Sequence, residues 1–193
     1  MANKIKFGLK NVFFAPCTIA TDGSATYTTP VAFPGAVSLS LDPQGENTPF
    51  YADNIVYWVG ASNTGYEGDL EIARVNDEFK KQVLGYIQNS DGALLEDANA
   101  PAVHFALLFQ FEGDEKATRH VMYNCTATRP ATAGNTKEES VEPQTETVTI
   151  KATSIYVSNV KGGSDIIKAE MPEATDTPYT TWFSSVYTSP AVT

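Results

Sequence analysis

Glu67, Asp69 and Glu71 are the residues whose type and spacing come nearest to catalytic chemistry. On a strand, the i, i+2 spacing puts all three on one face, with successive carboxylates about 7 Å apart. A carboxylate pair can divide general-acid and general-base work, but the acid needs a pKa raised by burial or crowding. An acidic ladder facing water supplies neither, so these residues read as a solvated strand face or an electronegative surface with a purpose. Metal chemistry has little more to work with. Cys17, Cys125, His104 and His120 are the soft ligands, and none stands at CxxC or HxxxH spacing. No GxSxG elbow, GxGxxG loop, phosphate-binding loop or EF-hand spacing occurs, and two histidines give a Ser or Cys triad no support. The expectation is a chain without catalysis, cofactor or metal, its two cysteines buried as free thiols.

The elements around these residues are strands. Residues 66–73 alternate, with Tyr66, Gly68, Leu70 and Ile72 on one face and the three acids on the other. Val103, Phe105, Leu107, Phe109 and Phe111 form a strongly apolar face, and Leu108 implies cover on both sides. Val121, Tyr123, Cys125 and Ala127 are expected to face together, as are Val148, Ile150 and Ala152. Strands are also expected over 4–21, with a break or edge feature at Ala15-Pro16, over 24–29 after an Asp22-Gly23 turn, over 36–41 and over 54–59. One helix fits, over 77–84. Asn76 is its N-cap, Asp77 and Glu78 sit at the positive end of the dipole, and Gly85 is the stop.

Between 36–41 and 54–59 lies a long polar stretch over 42–53, where Asp42-Pro43-Gln44-Gly45 and Thr48-Pro49 argue against regular pairing. A connection of that length is functional or disordered more often than idle. Tyr57, Trp58 and Tyr66 can form a stacking surface for a ligand, or simply pack in a core. A second polar stretch over 132–145 carries Lys137, Glu138, Glu139 and Glu142. After residue 157 the alternation is lost, and an extended arm ends in the aromatics Trp182, Phe183 and Tyr187, which are expected to dock on this chain or on a neighbour.

Composition agrees with an all-β or β-rich chain. At 193 residues with 42% hydrophobic and 11% aromatic residues, one domain can bury a sizeable core. We expect that domain over 1–157, with the arm over 158–193. A net charge of −10 repels phosphate and argues against gripping DNA, though not against standing close to it. The N-terminus MANKIKFGLK lacks an apolar segment behind its lysines, and the apolar run 105–109 is too short to span a bilayer. A soluble protein made in the cytoplasm is expected.

Four segments, in order, resemble the major tail proteins of long-tailed, non-contractile phages, the phi13-type family: KIKFGLKNVFFAP, FPGAVSLSLDPQGE, GYEGDLEIARVNDEFKKQVLG and PYTTWFSSVY. The resemblance covers nearly the whole chain. It implies a β-sandwich or half-barrel with one short flanking helix, a long protruding hairpin loop and extended N- and C-terminal arms. It further implies self-assembly into stacked hexameric rings around a channel through which DNA passes without specific binding. A tape measure protein would lie in the lumen, with terminator and distal tail proteins at the ends. Asp42, Gln44, Glu46, Asn47, Phe50, Tyr51, Asp53 and Asn54 would then form the inter-ring loop. Glu67, Asp69 and Glu71 would face the lumen, while residues 1–9 and the C-terminal arm would complete contacts between subunits. An acidic β-sandwich binding module and another virion protein, a decoration protein or tail terminator, remain the other readings of the residues.

Overall fold

The computed structural model describes residues 5–136, 143–160, 162–173, 175 and 177–188, with nothing said of the side chain of residue 61. The four charged residues expected in the 132–145 stretch and the first part of the N-terminal arm lie outside the described residues. In chain order the elements are β1 (Leu9–Ile19), β2 (Ala25–Tyr27), β3 (Val31–Ala32), β4 (Ala36–Gln44), β5 (Asn47–Ala52), β6 (Ile55–Ala61) and β7 (Gly65–Ile72). They continue with α1 (Asp77–Gln82), β8 (Ile87–Gln88), β9 (Leu94–Leu95), β10 (His104–Phe111), β11 (Arg119–Ala127) and β12 (Glu146–Thr153). The last are β13 (Ile155–Val157), β14 (Ser164–Ile166), β15 (Lys168–Met171) and α2 (Thr177–Thr180). The fold is mainly β, with antiparallel sheets and two small helices, in agreement with a β-sandwich.

The main sheet runs β2-β1-β10-β11-β12-β7-β4, with β3 also on β1 and β15 also on β11. β1 and β4, near opposite ends of that order, come into contact, so the sheet curls. Its sides are two apolar layers. Phe105, Leu107 and Phe109 join Leu70, Ile72, Val148 and Ile150 on the inner side, while Ala106 and Leu108 of the same strand face the outer cluster. The two-sided cover expected from Leu108 is therefore present.

Inside the curl sits α1. Asn76 accepts a hydrogen bond from the Phe79 N–H at 2.9 Å, a cap that stabilises a helix by about 1 kcal/mol. Phe79 stacks on Phe33 at 4.5 Å and meets Phe14 and Phe105 edge-on. Gly85 takes a φ of +73°, as a helix stop does.

Three expectations change. Pro16 does not break β1; it stays in register opposite Phe105. In β11 a register shift against β10 interrupts the alternation, so Val121 and Tyr123 face the outer cluster while Met122 and Cys125 face the inner one. A bulge adds one residue to one strand, and every side chain beyond it changes sides. The segment after residue 157 is not simply extended. β15 joins the main sheet beside β11, and the β13–β14 hairpin and the segment from α2 onward lie on the outer side of that sheet, where Ile155 and Trp182 are buried. β8 and β9 form a small hairpin not anticipated from the sequence.

Candidate functional site

The stretch over 42–53 is neither irregular nor a loop that ends at a body strand. β4 runs on through Asp42 and Pro43 to Gln44, and among the described residues β5 and β6 pair only with each other. Pairing passes through Pro49, opposite Val59. Both prolines are tolerated because β4 is the last strand of its sheet and β5 has one partner, so each has a free edge where no N–H is needed. Residues 54–59, expected as a strand of the body, are instead the second half of this hairpin.

The hairpin is built as an extension of the β4–β7 ribbon. The Thr64 N–H donates to the Gln44 carbonyl at 2.8 Å and the Ser62 N–H to the Glu46 carbonyl at 3.1 Å. The Glu46 N–H donates to Ser62 Oγ at 3.0 Å. At the tip, Asp53 and Asn54 have φ of 52° and 62°, the left-handed pair a tight hairpin turn requires. With nine residues from Gly45 to Asp53, the arm reaches roughly 30 Å at the usual strand rise.

Its surface is unlike that of a solvated loop. Phe50, Tyr51, Ile55, Val56, Tyr57, Trp58 and Val59 are all at least half exposed, from 50% for Val56 to 71% for Tyr57. The Trp58 indole folds over Gly60 so closely that a Cβ there would strike it. Asp42, Gln44, Glu46, Asn47, Asp53 and Asn54 are exposed as well, and the stretch from 42 to 61 holds no Lys, Arg or His. Burying a large apolar side chain stabilises by about 1.5–3 kcal/mol, so seven left in water mark a surface made to be covered.

Glu67, Asp69 and Glu71 share the outward face of β7, opposite Leu70 and Ile72. They lie between β4 and β12, opposite Asp42, Ser40 and Ser38 on one side and Lys151, Thr149 and Thr147 on the other. Thr149 Oγ1 donates to Asp69 at 2.7 Å, and Lys151 Nζ stands 3.5 Å from Glu67. Hydroxyl donation from Thr145 at 2.6 Å and Ser38 at 3.0 Å holds the Glu71 carboxyl below its ordinary value. A depressed carboxylate pKa contributes stability above the unfolded value and loses it as pH falls through the folded one. Thr145→Val should therefore raise the Glu71 pKa toward the ordinary carboxylate value, read by NMR titration of its side-chain carboxyl. An unmoved titration would remove this hydroxyl from the account.

Trp182, Phe183 and Tyr187 meet their own chain. Trp182 is 1% exposed, donates through Nε1 to the His120 carbonyl at 3.3 Å and stacks on Tyr187 at 5.2 Å. Phe183 stacks on Phe13 at 5.1 Å. The Arg119 guanidinium lies 3.9 Å over the Tyr179 ring and also donates to the Tyr179 carbonyl. Tyr57 and Trp58 stand on the arm and Tyr66 at its root, so they do not form one stacking cleft with core cover.

The remaining chemistry-bearing groups are dispersed. Burial pushes the Cys17 thiol up to about 11, and that of Cys125 higher still. His104 shares a 2.7 Å hydrogen bond with Asn124, and burial pulls His120 down as it stacks on Phe109. Among the described residues no group of three or more His, Cys, Asp or Glu can hold a metal ion, and no helix is long and apolar enough to cross a membrane.

A family model described as phage tail tube protein matches residues 2–187. No curated protein matches the chain.

Proposed function

The chain belongs to the phage tail tube protein family, which makes it a structural protein of the phage tail and of the virion; from that premise we propose that it assembles with copies of itself into stacked rings that form the tube. The observation that carries this reading is the β5–β6 arm, a paired ribbon with seven exposed large apolar side chains. Rigidity matters, since a preformed ribbon loses less freedom on docking than a mobile loop. Direction matters too. The arm leaves the β4–β7 pair at its Gln44/Gly65 end, whereas α1 follows from the Ala36/Ile72 end. A contact between unlike ends closes into a ring where its rotation closes and otherwise propagates as a filament, and an axial contact of that kind stacks one ring on the next. Concentrated pure protein should form rings or tubes under negative stain, and a monodisperse monomer at every concentration would overturn the proposal.

The family resemblance supplies six copies per ring, a tape measure protein in the lumen and terminator or distal tail proteins at the ends. In this reading the job is shape rather than turnover, and no cofactor enters it. The β7 acids take the lumen side, where phosphate meets repulsion in place of the many cationic contacts that hold DNA. Replacing Glu67, Asp69 and Glu71 together by Lys should leave tubes intact and slow DNA release from assembled particles, measured as ejection kinetics. Loss of tubes would instead assign these side chains to an interface between subunits.

A further inference from the structure

We infer that each arm is clamped between two other copies of the chain rather than laid against one, an inference that rests on the assembly role proposed above. The register sorts the side chains. Phe50 pairs with Trp58 and Ala52 with Ile55, so Phe50, Ile55 and Trp58 share a face; Tyr51 pairs with Val56 and Pro49 with Val59, so Tyr51, Val56 and Val59 share the opposite one. The register shift between Phe50 and Tyr51 leaves Tyr57 as the extra residue. Without it Val56 and Trp58, two apart on one strand, would point the same way. The bulge thus divides the apolar side chains between the faces.

Exposure is divided evenly as well: 57, 63 and 60% on the first face, 63, 50 and 52% on the second. Taking a large side chain as about 200 Å² when fully exposed, each face offers roughly 350 Å² of apolar surface at most. A stable specific interface needs about 800 Å² per partner. That figure counts polar and apolar area together, a little over half of it apolar, so each face by itself supplies most of the apolar share of one interface and the two faces suit two partners. A ribbon of two strands has no interior in which to hide its second face. Laid on a single neighbour, it would leave three large apolar side chains in water.

The clamp has a consequence for growth: a pair of chains can cover only one face of an arm, so dimers are poor intermediates and assembly rises steeply with concentration. Trp58→Ser tests one face and Tyr51→Ser the other, each in the full chain, with the critical concentration for tube formation read by light scattering and sedimentation. Each substitution alone should raise that concentration by about tenfold or more. Thermal unfolding of the monomer should be unchanged, because among the described residues the arm's two strands pair only with each other. A shift on one face with none on the other overturns the clamp and leaves the assembly role standing. No shift on either face overturns both the clamp and the arm's part in assembly. Failure of the unaltered chain to assemble would overturn the function itself.

Discussion

Replacing residues 46–61 by Asn-Gly should abolish tube formation at any accessible concentration while the monomer keeps its unfolding midpoint. The replacement leaves Gln44 and Thr64, whose 2.8 Å hydrogen bond is retained, joined through Gly45, the inserted Asn-Gly, Ser62 and Asn63, a five-residue connection of a length that antiparallel hairpins use. Among the described side chains nothing buried is lost, since neither apolar cluster draws one from the arm. What is lost is the contact surface. Roughly 700 Å² of apolar area corresponds to about 18 kcal/mol of gross transfer free energy. Association and side-chain ordering oppose that by about 4–15 kcal/mol. With the arm removed the favourable term vanishes and the opposing one does not, so no modest rise in concentration can restore assembly. Sedimentation velocity and negative stain check the loss, and circular dichroism during heating checks the fold. Normal tubes from this variant would refute the arm's role outright.

How much of this was legible in the sequence follows from what a residue pattern encodes. The alternation in β7, the two-sided β10 and the Asn76 cap are local and were readable, because period, apolar content and capping chemistry all lie within a few residues. The arm was half readable. Its length and its prolines drew attention to residues 42–53, but Ile55, Tyr57 and Val59 look like any body strand. A β-branched and aromatic run states that a surface must be covered; it does not state whether this chain or another covers it. Pro43 and Pro49 argue against pairing only where both edges of a strand are occupied, and edge occupancy is a property of the whole sheet. The same limit explains β11. Its register shift answers to β10, which is distant in sequence, so Cys125 read as a companion of Val121 when it packs with Met122.

The C-terminal aromatics lead to the second large effect. Trp182→Ala should destabilise the monomer by about 3–5 kcal/mol, the usual result for removing a buried large aromatic side chain. At this chain length that lowers the midpoint by roughly 10 °C. Trp182 is among the largest fully buried side chains, packed with Leu108, Val121 and Tyr123 on the outer side of the sheet. Its indole N–H also satisfies the His120 carbonyl. Truncation leaves a cavity, an unpaired carbonyl and a Tyr187 ring without its stacking partner. The segment around it is also held by Arg119 over the Tyr179 ring, by the Tyr179 hydroxyl on the Ala117 carbonyl at 2.9 Å, and by Phe183 on Phe13. Losing the central one should release the others together. The effect separates two uses of an aromatic tail. A side chain that docks on a neighbour costs assembly and leaves the isolated monomer as stable as before. One that seals its own core costs the monomer first. Chemical denaturation below the assembly concentration distinguishes them, and an unchanged midpoint for Trp182→Ala would return this tryptophan to the interface between copies.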